Sequence, residues 1–226
     1  MIIETSQDTI KIELDPNIKN IGVASSGGAD SGILIYLLCK YISEEKPDAT
    51  LVPFTTIHGN KPTNLWYALK TKWWMRQHFP SVNWHKEHFT NHSNSTNYGD
   101  KVNELRDQLV NDKIVDCRFS GVTANPPREV WTKFKGVGEG GTPQGGGLPG
   151  GLPDDRDRTT VKRDSTWNPL TNIDKQGVAE LYNMFGLTNT LFPITRTCEE
   201  WIIDPETHCG ECVWCEERRW GFGKLV

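Results

Sequence analysis

Residues 21–38 read IGVASSGGADSGILIYLL. A short apolar run, Ile21–Ala24, meets two serines and two glycines. The helical spacing of Ile33, Leu34, Leu37, Leu38 and Tyr41 follows at once. The pattern predicts a strand, a tight turn and a helix over Gly32–Glu44. Glycines let the chain turn sharply and aim several N–H groups at one anion, while the helix adds the positive end of its dipole. Ser26 and Ser31 bring hydroxyl donors without bulk. The lysine that follows the glycines in the Walker pattern GxxxxGK[ST] is absent. The segment Ser25, Ser26, Gly27, Gly28, Ala29, Asp30 and Ser31 is therefore expected to hold a phosphate chain through main-chain groups. Asp30 would be satisfied there by Mg²⁺ or by a first-turn N–H. Taken alone, the letters also fit an ordinary strand-to-helix turn; the flanking strand and helix favour the phosphate reading.

The chain around this unit alternates in the same way. TIKIEL (9–14) reads as a leading strand and ATLVPFTTI (49–57) as another, Pro53 pointing to an edge or a bulge. Asn64 is placed to cap a helix running to Phe79, VNWHKEHF (82–89) alternates as a strand, and Lys101–Asn111 has a helical pattern. KIVDCRFSGVTA (113–124) reads as one more strand. The expectation is an α/β, Rossmann-like parallel sheet with helices on both faces, the SSGGADS turn lying on the carboxyl rim where such sheets bind ligands. His85 and His88 fall on opposite faces of an alternating strand and make a poor metal pair. Gly136–Asp155 is dense in glycine and proline and is expected to be a mobile loop or lid. Its GVGEGG has no strand before it and no helix after it, which argues against a nucleotide loop. Asp174 can cap a helix that ends at Gly186.

The cysteines are unevenly spread. Cys39 and Cys117 lie alone in apolar surroundings, whereas Cys198, Cys209, Cys212 and Cys215 crowd the end of the 226 residues. Cys-x2-Cys-x2-Cys can place three thiolates round one ion with Cys198 as the fourth, a set suited to a closed structural Zn²⁺ site. A redox pair or simple free thiols compete with that reading, but a redox pair needs only two cysteines. His208 could replace one ligand, though four cysteines make it unnecessary. The organisation expected is an α/β domain over 1–170 that carries the phosphate-holding turn, and a helix with a four-cysteine zinc subdomain over 171–226. The net charge of −4 offers no general basic surface and counts against nucleic acid as the direct substrate. No apolar run approaches the ~20 residues of a membrane span and the opening residues are no signal peptide, so no membrane association and a cytoplasmic location are expected.

SGGxDS after a first strand resembles the PP-loop signature of the N-type ATP pyrophosphatases, which share the adenine nucleotide alpha hydrolase-like fold and cleave ATP to AMP and pyrophosphate. The tail adds Thr197-Cys198, CGECVWCEER and Gly221-Phe222, and NPLTNIDKQGVAEL precedes it. Together these resemble the 7-cyano-7-deazaguanine synthases of queuosine biosynthesis over roughly residues 20–60 and 165–223. The resemblance implies an ATP-dependent carbon–nitrogen ligase using ATP, Mg²⁺ and one structural Zn²⁺ per chain. Its small-molecule substrates would be 7-carboxy-7-deazaguanine, or a related carboxylate, and ammonia; a homodimer is the family's suggestion. Asp30, Ser31 and Lys175 would be the catalytic residues, Lys175 facing the ATP phosphates. Arg196 and Arg218 are weaker candidates, read as supports of the zinc knuckle. The family's Tyr-Gly-x-x-His, Pro-Gly-Arg-Asn and Tyr-Pro-Asp-Cys segments, which should shape the substrate pocket, are not evident. Two rival readings remain: a PP-loop enzyme that modifies tRNA, by thiolation or another adenylation, and a non-catalytic zinc-stabilised binding module.

Overall fold

The computed structural model describes residues 1–58, 63–92, 98–134, 160–198 and 206–226. A hairpin of β1 (Ile2–Glu4) and β2 (Thr9–Lys11) precedes β3 (Asn20–Ala24) and α1 (Ala29–Glu45). Then come β4 (Thr50–His58), α2 (Thr63–His78), β5 (Asn83–Trp84), β6 (His88–His92) and α3 (Tyr98–Asn111). The chain continues through β7 (Cys117–Phe119), α4 (Arg128–Trp131), β8 (Thr166–Trp167), α5 (Lys175–Met184) and α6 (Val213–Phe222). Outside the hairpin every pairing is parallel: β3 lies between β4 and β7, β4 carries β5 and β6 on its far side, and β7 carries β8.

Alternation along the strands divides the core between two faces. Ile21, Val23, Leu51, Cys117 and Phe119 pack with Ile33, Leu34 and Leu37 of α1 and with Val178, Leu181 and Tyr182 of α5. Val52 and Phe54 turn the other way, onto Leu105 and Leu109 of α3. The sheet is therefore covered on both faces, as a Rossmann-like α/β fold requires, and residues on both sides of position 170 share the larger core. Each fully buried leucine or isoleucine contributes about 1.5–3 kcal/mol relative to exposure.

Pro53 sits in an interior strand, not at an edge but opposite a bulge: between the pairs Leu51–Trp84 and Phe54–His88 residues 52 and 53 face three residues, 85–87, of the adjoining chain. Thr50 N donates to Lys19 O and Ser25 N donates to Phe54 O, so residues 50 and 54 turn their peptide groups toward β3. His85 N donates to Leu51 O, which turns the odd residues the other way. Pro53 thus faces residues 85–87, where β5 has ended and β6 has not begun, and no neighbour requires its missing N–H. The same break splits the strand expected over 82–89. It also overturns the expectation that His85 and His88 point apart: their rings stack at 5.0 Å, with Nδ1 of His85 2.9 Å from Nε2 of His88. Strict alternation holds only within an unbroken strand.

Other boundaries shift as well. The helix after the glycine turn begins at Ala29, so Asp30 and Ser31 belong to its first turn. The strand expected over 113–124 shrinks to β7; just before it, the Asp116 carboxylate accepts from Lys19 N and Asn20 N, at 2.8 and 2.9 Å. Asn64 falls inside α2 and is not its cap. The Gly136–Asp155 loop lies outside the described residues. Among the described residues no helix is long and apolar enough to cross a membrane.

Candidate functional site

The glycine turn leaves β3 between β4 and β7, where the strand order reverses. Open α/β sheets bind ligands at that position. Gly27 has φ +76, and a Cβ there would lie 2.7 Å from the backbone nitrogen of Ala68 on α2. Both the left-handed backbone and the contact demand glycine. Gly27→Ala is expected to destabilise the protein by at least about 1–2 kcal/mol. Chemical denaturation would check this.

Gly28 is the extended N-cap of α1, and no side chain caps the helix. The first-turn N–H groups have no intrahelical partner, and they carry the positive end of the dipole. Ser26 Oγ and Ser31 Oγ lie 3.1 Å apart beside them, and Ser31 Oγ also donates to Gly28 O at 3.1 Å. Ser25 is buried, its N–H bonded to Phe54 O, so it shapes the turn from beneath. Tyr182 Oη donates to Ala29 O at 2.9 Å, fixing the start of α1 against α5.

Lys175 reaches this turn from 145 residues away. Asp174 caps α5 by accepting from Gln176 N and Gly177 N, which makes Lys175 the first helical residue. Its Nζ donates to both carboxylate oxygens of Asp30 at 2.6 Å and lies 3.5 Å from Glu217 Oε2. The lysine side chain is 2% exposed. Burial alone pushes its pKa down, but the Asp30 and Glu217 carboxylates outweigh that and raise it, so the ammonium persists. Burial pushes the Glu217 carboxyl up, with the lysine charge opposing. Among the candidates Asp30, Ser31 and Lys175, the structure thus gathers all three round one helix end.

The sulfur atoms of Cys198, Cys209, Cys212 and Cys215 all lie within 4.8 Å of one another, with Cys209 and Cys215 at 3.8 Å. One tetrahedral ion with metal–sulfur bonds of about 2.3 Å sets its ligands roughly 3.8 Å apart, so the four thiolates fit one metal ion. Main-chain N–H groups of Cys209, Glu211 and Cys212 point at sulfurs of Cys198 or Cys209 at 3.3–3.5 Å, a second shell that would stabilise thiolate charge. His208 is not among the four, and both its ring nitrogens are buried without a hydrogen-bond partner among the described residues. Cys39 and Cys117 are buried apart from this group, and burial raises both thiols, so they act as packing residues.

Both arginines support this arrangement. Arg218 is fully buried; its guanidinium donates to Leu225 O, Thr195 Oγ1, Thr197 Oγ1, Phe192 O and Thr195 O and lies 3.8 Å over the Phe192 ring. Burial lowers its pKa to about 10. Arg196 links the two halves of the site. Its N–H donates to Gly27 O at 2.8 Å, and its Nη1 donates to Thr207 O at 2.7 Å, two residues before Cys209. Sequence reading missed Glu217, whose only signal was an acidic residue between a cysteine ligand and a buried arginine.

No protein-family model matches the sequence, and no curated protein matches it. Among solved structures, the chain is similar to the U34-tRNA thiolase NcsA from Methanococcus maripaludis with its [4Fe-4S] cluster, at 14% identity and a TM-score of 0.46. The likeness covers 78% of this chain and 58% of that one.

Proposed function

We propose that the chain is an ATP-dependent, adenylate-forming carbon–nitrogen ligase of the PP-loop type, acting on a small carboxylate of the 7-carboxy-7-deazaguanine kind. What supports this reading is the uncapped start of α1 at the sheet's switch point, with Ser26, Ser31 and the Asp30–Lys175 pair around it. The first-turn N–H groups and the two hydroxyls bind the pyrophosphate oxygens of ATP. Lys175 supplies the positive charge that the missing Walker lysine would have given. Asp30 would hold Mg²⁺, which neutralises phosphate charge when bound. The substrate carboxylate attacks the α-phosphorus, the α–β P–O bond breaks, and pyrophosphate leaves with the electron pair. Ammonia then displaces AMP to give an amide, which a second activation dehydrates to the nitrile. The residues act by positioning and by charge already in place.

The cysteine set is proposed to hold structural Zn²⁺. A single ion suits sulfurs this close, whereas an iron–sulfur cube, binding each thiolate at a different corner, would hold them further apart. Incubation with ATP, Mg²⁺, ammonium and 7-carboxy-7-deazaguanine is expected to release pyrophosphate only when the carboxylate is present, with product mass identifying amide or nitrile. Carboxylate-independent release, or none, overturns the ligase reading.

A second reading, tRNA modification, has one observation in its favour. Helix α2 exposes Trp66 and Trp73, on which bases could stack, and carries the basic Arg76, whereas its Lys70 and Lys72 are paired with Glu206 and Glu87. Pyrophosphate release that requires RNA and not the carboxylate would select it. A zinc-stabilised binding module without catalysis would show no ATP turnover in either assay.

A further inference from the structure

One feature of the site is at odds with a pocket for polyphosphate: a second buried carboxylate. Glu217 is 4% exposed and faces the same ammonium as Asp30. Asp30, Lys175 and Glu217 together carry one positive and two negative charges, and an incoming pyrophosphate adds more. A carboxylate in this place needs a role.

An ammonium has three N–H donors. Two of those on Lys175 are directed at Asp30, one to each carboxylate oxygen at 2.6 Å. If Asp30 were the only counter-charge, turning it toward a metal would strand a buried ammonium. Glu217 lies 3.5 Å from the same ammonium, where it can take over as partner. Its own position is fixed. It is two residues past Cys215 on α6, whose N-cap is Cys212, and the adjacent Arg218 is locked by its hydrogen bonds to residues 192–197 and 225. One turn further on, Gly221 packs so tightly that a Cβ would lie 2.7 Å from Cβ of Lys175, which leaves the lysine stem no room to retreat.

Resting on the ATP reading above, we infer that Glu217 is a positioning residue: it holds the Lys175 ammonium at the turn as Asp30 passes from the lysine to the Mg²⁺ of bound Mg–ATP. It touches neither nucleotide nor metal and acts through Lys175. The four-cysteine site, by anchoring α6, sets where Glu217 stands.

The test titrates ATP calorimetrically into the metal-loaded protein at several Mg²⁺ concentrations, comparing wild type with Glu217→Gln and Glu217→Asp. Glu217→Gln keeps size and removes the charge. It is expected to weaken the Mg²⁺ dependence of ATP binding on the order of tenfold to a hundredfold, with the metal content of the cysteine site unchanged. Glu217→Asp keeps the charge on a shorter side chain and is expected to bind Mg–ATP better than Glu217→Gln. A purely structural role predicts the reverse order, because the amide fills the buried site and aspartate leaves a gap. Aspartate binding worse than glutamine, or glutamine binding with wild-type Mg²⁺ dependence, overturns the inference. A wild-type protein that binds no ATP overturns the functional reading itself and this inference with it.

Discussion

Replacing Asp30 with alanine is expected to cut ATP-dependent pyrophosphate release by about 10²–10³-fold and to lower stability by about 3 kcal/mol. The two effects have separate causes. Turnover falls because the carboxylate that would receive Mg²⁺ is gone. Stability falls because Lys175, 2% exposed, loses the partner that accepts two of its hydrogen bonds. The stability loss stays at the lower end for a broken buried pair because Glu217 remains and because Asp30 is itself 26% exposed. Asp30→Asn separates the causes: its amide oxygen still accepts from the ammonium, so it should recover part of the stability and little of the turnover. Denaturant unfolding measured beside pyrophosphate release checks both. An alanine variant with wild-type turnover would remove Asp30 from the chemistry.

The second large effect belongs to the metal. The purified protein is expected to carry about one zinc per chain, as a closed four-thiolate site holds, and Cys212→Ser should abolish that stoichiometry. Cys212 is both a ligand candidate and the N-cap of α6, so its loss frees the helix that carries Glu217, Arg218 and Gly221. A metal bound only by the folded state adds its binding free energy to folding. Losing even 3–4 kcal/mol of it would lower the unfolding midpoint by on the order of 10 °C for a chain of this size. A strong chelator should move wild type by the same amount and leave the variant where it is. Because α6 contributes the second partner of Lys175, ATP binding should weaken in the metal-free protein too. Metal analysis that returns several irons per chain would replace zinc with a cluster, and a Cys212→Ser protein with unaltered metal and midpoint would dismiss the site.

Much of the site was legible because its parts are local. SSGGADS announces a strand, a turn and a helix within seven residues, and the structure differs only in starting the helix three residues earlier, at Ala29. That difference moves Asp30 and Ser31 into the first turn, among the unpaired N–H groups. The cysteine spacing likewise foretold a shared metal geometry, since three of the four sulfurs come from seven consecutive residues. Reading ran short where a neighbour decided the outcome. Pro53 signals an edge or a bulge, and only the adjoining chain decides that it is a bulge. It is tolerated inside the sheet because the adjoining chain has broken between β5 and β6 at that level. His85 and His88 signal opposite faces, and the same break stacks them.

The amino-acid sequence by itself determined the parallel α/β plan, the glycine turn between strand and helix and the four-cysteine set, because hydrophobic period, glycine placement and cysteine spacing act over a few residues. Only the tertiary structure decided that Lys175 would be buried against Asp30 across 145 positions, and that α6 would set a second carboxylate, Glu217, behind it. Those contacts exist because α1 and α6 both pack against α5, and no short-range pattern carries the free energy of that packing.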